Sequence, residues 1–342
     1  MTPRPSPNTM MDLISAQRVT AVIHIAAKLG LADLLADGPR TATELARLTD
    51  THERSLLRLM RALNALGIFT EAGNGKFGLT ELGGYLTAKS GRSLKAWALL
   101  EGDMLRANWS QMIESIRTGK TAAELAGGSP ERFEEMARTN RAAAALFNEA
   151  MVSGTRLQIA ALLAAYDFSG IPTLMDVGGG LGELISAIVQ KYPSMRGIVF
   201  DLPHCEEAAV KNLAVSGGAD RCRFIAGSFF EQVPAGADAI IMKHIIHDWN
   251  NERCVQILRN CHHALKPGAK LLVVDRVVPA RFEATPDHLA MALADLNMLR
   301  GPGGCERTEG EHRSLLAEGG FRMTRVVPFG RVSVIESVAE QA

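Results

Sequence analysis

The chain has 342 residues, 47% of them hydrophobic, and a formal net charge of +0. That length suggests about two domains with ample core, and the neutral balance excludes a general attraction to nucleic acid or anionic membranes. No apolar run reaches the ~18 residues of a membrane span, the N-terminus lacks a signal peptide's apolar core and cleavage site, and five cysteines without a CxxC pair point to a reduced, cytoplasmic setting.

The first half reads as helical. From Leu13 to Leu35 apolar residues recur at helical spacing, as one long helix stopped by Gly38-Pro39. From about 38 to 88 the pattern is a short helix, a turn, a longer amphipathic helix and a hairpin turning near Gly73 to Gly75. Thr43 and Thr51 are expected as helix N-caps. This order is that of a winged helix-turn-helix. Arg54, Arg58 and Arg61 are spaced to face phosphates, but Asp50 and Glu53 flank the second helix and no basic stripe develops. The module is therefore expected to be structural or dimerising. More helices follow, as far as the Phe168-Ser169-Gly170 boundary.

From Thr173 strands and helices alternate, which predicts a parallel sheet. The candidate strands are TLMDVG, RGIVFDL, CRFIAG, ADAIIMKH and AKLLVVDRVV, and the run closes on a hairpin, MTRVVPF and VSVIESV. The expected fold class is α/β, a seven-stranded Rossmann-like sheet over 166–342 behind an all-helical winged-helix domain over 1–165.

The first strand runs into Gly178, Gly179, Gly180 and Gly182, spaced G-x-G-x-G where a dinucleotide fingerprint has G-x-G-x-x-G. Glycines here permit a sharp turn and close approach of a ligand. Glu183 in the first turn of the next helix is unfavourable to a pyrophosphate but not to a cationic or zwitterionic ligand. Asp201 ends the second strand, where a carboxylate accepts ribose hydroxyls. The turn, the spaced Asp and the strand count together point to S-adenosylmethionine.

His247 falls just past the fourth strand, at the carboxyl edge where such sheets bind ligands, and is followed by Asp-Trp. Histidine suits proton removal near neutrality. A phenol titrates near ~10, so a base against its hydroxyl can draw off the proton as the oxygen attacks. His244, His262 and His263 are read as packed or surface residues.

Taken together, DVGGGLGELISAIVQKYP, KHIIHDWNNERC and GGCERTEGEHRSLLAEGGF resemble the plant caffeic-acid-type and bacterial antibiotic-tailoring O-methyltransferases, over nearly the whole chain. The resemblance implies metal-independent methylation of a hydroxyl on a small aromatic, phenolic or polyketide-like metabolite. It implies His247 as catalytic base, with Asp275 (a Glu in the plant enzymes) and Glu306 flanking it. It further implies a cofactor set of Asp176, Gly178, Gly180, Asp201, Leu202, Ser228, Phe229 and Lys243, with Lys243 near the methionine end. Ser228 replaces the family's usual Asp beside the adenine, while Phe229 remains to cover one face. Phe147, Met151, Asn297 and Met298 match substrate-lining positions, and Trp109 is a weaker match. The N-terminal domain is expected to form a homodimer. Two alternatives stay open: a relative with other chemistry (C-methylation, decarboxylation or hydroxylation), or a ligand-sensing transcription regulator.

Overall fold

The structure is a computed structural model and describes residues 6–127, 132–218 and 220–341. Two compact units divide the chain: Met1–Ala107 with Ala145–Gly154, and Asn108–Ala144 with Thr155–Ala342.

In the first unit the expected single helix from Leu13 to Leu35 is broken. Helices Pro7–Ser15, Gln17–Lys28 and Leu31–Ala36 take its place. Gly30 adopts φ +64, a left-handed conformation that ends a helix, whereas the apolar spacing continues across it. The N-cap expectations are corrected too. Thr41 caps helix Ala42–Thr49 through a reciprocal capping box with Glu44, and His52 precedes helix Glu53–Ala65. Thr43 instead donates its hydroxyl to Glu53, and Thr51 pairs with Thr49. The apolar stripe marks a helix to within a residue or two; the cap is decided by local hydrogen bonding. Nor is the unit all helical. Strands β1 (Arg40–Thr41), β2 (Phe69–Ala72) and β3 (Lys76–Leu79) form an antiparallel sheet in the order β1-β3-β2. Leu31, Leu45, Met60, Leu63, Phe69 and Phe77 make its buried core.

The second unit is built on seven strands: β4 (Thr173–Val177), β5 (Arg196–Asp201), β6 (Cys222–Ala226), β7 (Ala239–Lys243), β8 (Lys270–Asp275), β9 (Phe321–Phe329) and β10 (Val332–Ala339). Their order is β6-β5-β4-β7-β8-β10-β9. The first five are mutually parallel, and β10 runs antiparallel to both β8 and β9. Alternate residues feed two cores. Met175, Val177, Ile240 and Met242 pack with Leu258 and Leu316, while Leu174, Val199, Ile241 and Leu272 pack with Leu162, Phe168 and Ile185. Each buried aliphatic side chain contributes about 1.5–3 kcal/mol, which is why strands covered on both faces read as continuous apolar runs. Four of the polar exceptions stand in or at the ends of the parallel strands: Asp176 in β4, Asp201 in β5, Lys243 in β7 and Asp275 in β8. The parallel register brings them to one edge of the sheet.

Candidate active site

Beyond Val177 the chain turns through glycines into helix Glu183–Lys191. Gly178, Gly180 and Gly182 have φ of +71, +55 and +73, which costs an L-residue about 1–2 kcal/mol. A Cβ on Gly178 would lie 2.3 Å from Ile245 Cδ1 and 3.7 Å from Phe229 Cε1. Asp201 holds this turn. Its Oδ2 accepts the Gly180 N–H at 2.6 Å and its Oδ1 accepts the Leu202 N–H at 2.7 Å. Oδ1 also accepts the Cys205 thiol at 3.9 Å, while Oδ2 retains a lone pair for a further donor. Burial raises the Asp201 pKa, and the two backbone bonds only partly offset it.

Two opposite charges lie nearby. Burial pushes Asp176 up to about 7 against the pull of Lys243, and brings Lys243 down to about 8 against Asp176 and Asp275. Lys243 Nζ donates to Thr155 Oγ1 at 3.2 Å. Phe229 packs edge-on against Phe230 and Trp249. Ser228 Oγ accepts the Phe230 N–H at 3.3 Å, so the hydroxyl that replaces the expected Asp is engaged with its own turn.

His247 sits in the 3₁₀ turn Ile246–Asp248 and is buried. Its Nδ1 lies 3.1 Å from Glu306 Oε1 and 3.8 Å from Asp275 Oδ1. An ionised carboxylate can only accept, so the bond to Glu306 places a proton on Nδ1, and in the neutral ring the lone pair is then on Nε2. Asp248 Oδ1 is 3.7 Å from Nε2, too far for a hydrogen bond. Burial by itself would lower the His247 pKa, but Asp275, the hydrogen bond to Glu306 and Asp248 outweigh it and raise it to about 9. Glu306 is held in turn: its Oε1 accepts from Arg276 Nη1 at 2.8 Å and its backbone N–H donates to Asp295 Oδ1 at 2.8 Å.

Three residues that sequence reasoning set aside or missed support this turn. His244 is not simply packed. Its Nδ1 lies 3.3 Å from Asp275 Oδ1, and its ring stacks on His247 at 5.0 Å and 21°. Arg307, also buried, donates to the carbonyls of Ile246 and Trp249, each at 2.9 Å, and to Asn251 Oδ1 at 2.8 Å. It thereby clamps both sides of His247. Arg276 is the third. Nothing in residue type or spacing distinguishes these two arginines from surface ones. His262 stays outside the site as read, bonded to the Glu340 carbonyl.

The potential ligand atoms of His244, His247 and Asp275 lie within 4.8 Å of one another. Each imidazole Nδ1 of this cluster faces a carboxylate, that of His244 facing Asp275 and that of His247 facing Glu306.

Residues 109–322 match the family model of an O-methyltransferase domain, and residues 11–89 match that of an O-methyltransferase dimerisation domain. The chain belongs to the O-methyltransferase family. The phenazine O-methyltransferase of Lysobacter antibioticus is 38% identical over 334 residues, covering 97% of this chain and 96% of that one. The solved structure of human N-acetylserotonin methyltransferase with S-adenosylmethionine matches at a TM-score of 0.90 and 26% identity, covering 100% of both chains. An O-methyltransferase from neocarzinostatin biosynthesis was solved with S-adenosylmethionine and 2-hydroxy-5-methyl naphthoic acid. It matches at a TM-score of 0.78 and 32% identity, covering 94% of this chain and 96% of that one.

As an O-methyltransferase the chain uses S-adenosylmethionine, and its residues fit that group. The space at Gly178 that a Cβ would fill lies against Ile245 and Phe229, and Asp201 keeps acceptor capacity for hydroxyls. Asp176 and Lys243 offer opposite charges, the complement of a zwitterionic amino-acid end. The expected substrate residues divide between the units. Phe147 and Met151 pack on Ala96, Leu100 and Ala150 in the first. Asn297 and Met298 lie on helix Pro286–Arg300 in the second, where Asn297 Oδ1 accepts from Arg300 Nε at 3.0 Å and Met298 is buried. Trp109 ends helix Arg106–Trp109.

Proposed function

We propose that this O-methyltransferase methylates the hydroxyl of a small aromatic metabolite, with His247 as general base and no metal. The observation that carries the reading is the bond of His247 Nδ1 to Glu306 at 3.1 Å, with Nε2 left as the acceptor. When bound, S-adenosylmethionine supplies a methyl group on a sulfonium. His247 takes the acceptor's proton at Nε2, and Glu306 and Asp275 stabilise the imidazolium that results. Their charge raises the imidazole to about 9, close to the ~10 of a phenol, so the proton passes between groups of similar affinity. Such a base contributes about 10²–10⁴ in rate. The relatives named for phenazine and solved with a hydroxynaphthoic acid support an aromatic acceptor. We assign Phe147, Met151, Asn297 and Met298 to its recognition, and Asp176, Gly178, Gly180, Asp201, Leu202, Ser228, Phe229 and Lys243 to the cofactor. The domain boundaries are taken as 1–165 and 166–342, the first part forming a homodimer.

The test is single-turnover methylation by His247→Gln across phenols of graded acidity. We expect intact S-adenosylhomocysteine binding and a loss of about 10²-fold or more, least for the most acidic phenol. Near-wild-type rates on the least acidic phenol would reject His247 as the base.

A further inference from the structure

Asp275 is a fully buried carboxylate with few hydrogen bonds. Among the described residues its Oδ2 has no partner, and its Oδ1 is 3.8 Å from His247 Nδ1, beyond hydrogen-bond reach. Among the described residues the one hydrogen bond it accepts comes from His244 Nδ1, at 3.3 Å. With Asp275 ionised, that bond requires the proton on Nδ1 of His244. Burial, with Lys243, His247 and Arg276 close by, holds the His244 pKa well below that of a free imidazole, so the ring is neutral. Its backbone stands at φ +57, a conformation uncommon outside glycine, asparagine, aspartate and histidine.

We propose that His244 is a positioning residue that keeps Asp275 ionised and, through it, sets the basicity of His247. The inference rests on the reading of His247 as the base. A buried carboxylate with no donor takes up a proton instead of bearing its charge. Burial already lifts Asp275 to about 7, opposed by His247 and Arg276 and reinforced by Glu306 and Asp248. Loss of that donor favours the protonated carboxyl at neutral pH. A neutral Asp275 no longer favours the imidazolium, and Glu306 and Asp248 are then the remaining anions facing His247. Lys243 and Arg276, which flank the pair in the chain, oppose that charge.

Two substitutions separate the hydrogen bond from the stack. His244→Phe keeps a ring but no donor. His244→Asn places an amide N–H where Nδ1 stood, without the ring, and asparagine tolerates the left-handed backbone. The measurement is kcat/KM for a phenol between pH 6 and 10, with S-adenosylhomocysteine binding as the check on folding. We expect the midpoint of the rising limb in His244→Phe to fall from about 9 toward the ~6.5 of free imidazole. Its plateau should drop by about tenfold, because the base is weaker. His244→Asn should keep the wild-type midpoint. In an Asp275→Asn background, His244→Phe should have no further effect on the midpoint. An unmoved midpoint in His244→Phe, or an Asn variant that behaves like it, overturns the proposal. Should the Phe variant fail to bind S-adenosylhomocysteine, His244→Leu provides the donor-free comparison. His247→Gln separates the two levels of inference: a limb that persists there defeats the reading of the base itself, whereas a limb lost there but unmoved in the donor-free variants defeats only the role of His244.

Discussion

Glu306 Oε1 is shared between His247 Nδ1 at 3.1 Å and Arg276 Nη1 at 2.8 Å. One carboxylate oxygen thus fixes the imidazole's tautomer while a guanidinium fixes the carboxylate. Burial by itself would raise the Glu306 pKa; its bonds to His247 and Arg276 bring it below the ordinary value, so the proton resides on the imidazole.

Glu306→Gln should therefore lower the His247 pKa from about 9, because it removes a negative charge and leaves Arg276 facing the ring. The rising limb of kcat/KM moves to lower pH and its plateau falls by about 10-fold or more. Folding stability follows the same sign. A raised imidazole pKa adds stability that is complete below the unfolded value of ~6.5 and is lost as pH rises through about 9. Melting temperature should fall over that window in the wild type and less in Glu306→Gln. Equal slopes in the two proteins would show that Glu306 does not set this pKa.

Arg307 makes a second prediction. Its guanidinium binds the carbonyls on either side of His247, Ile246 and Trp249, at 2.9 Å each. Arg307→Lys cannot span both, and the carbonyl it releases keeps only weak or long partners such as the Cys254 thiol at 3.2 or 3.4 Å, so the lost charged hydrogen bond costs about 1.5–3 kcal/mol. The turn then shifts, and a misplacement of about 1 Å at a reacting group can cost about 10²-fold in rate. We expect reduced thermal stability together with a fall in kcat, and little change in S-adenosylhomocysteine affinity measured by calorimetry. A variant that loses stability but keeps wild-type kcat would confine Arg307 to folding.

Asp201, proposed to bind the cofactor, also holds Gly180 and Leu202 by their N–H groups. Asp201→Asn replaces one acceptor oxygen by an amide that cannot accept. S-adenosylhomocysteine affinity should fall about 10-fold or more, from the loss of about 1–3 kcal/mol per hydrogen bond to a charged group. Melting temperature should also fall, because the glycine turn loses part of its latch. Unchanged affinity in calorimetry would remove Asp201 from the cofactor site.

The parts legible in the sequence are those where local pattern and tertiary demand agree. β4 and β5 are short apolar runs bounded by glycine and by Asp-Leu-Pro, and each has one place in a sheet covered on both faces. The place of His247, in the turn just after β7 and before Asp-Trp, is legible in the sequence. His244 was not, since three residues earlier the same side chain carries no distinguishing signal; its contact with Asp275 depends on β7 and β8 being neighbours and on a left-handed backbone. Arg307 was hidden for the same reason, as its partners lie about 60 residues back along the chain. The break at Gly30 was masked by apolar spacing that runs through it, and Thr43 and Thr51 were plausible caps beside the residues that stand at those positions, Thr41 and His52.

The last prediction concerns assembly. Helix Pro7–Ser15 has no buried residue, and Met10, Met11, Leu13 and Ile14 are 58%, 60%, 62% and 64% exposed. The dimerisation-domain match begins at residue 11. Four such side chains on one short helix would contribute about 1.5–3 kcal/mol each if a second copy of the chain covered them, against an association cost of about 4–15 kcal/mol. The helix alone is therefore marginal, and the rest of the unit must supply the remainder. Replacing Leu13 and Ile14 together by glutamate puts two charges on the face without touching the buried core at Leu31, Leu45 and Met60. Sedimentation at micromolar concentration should show a dimer for the wild type and a monomer for the double variant, with unchanged helical content by circular dichroism. A wild-type monomer would defeat the homodimer reading, and a variant that still dimerises would move the interface away from this helix.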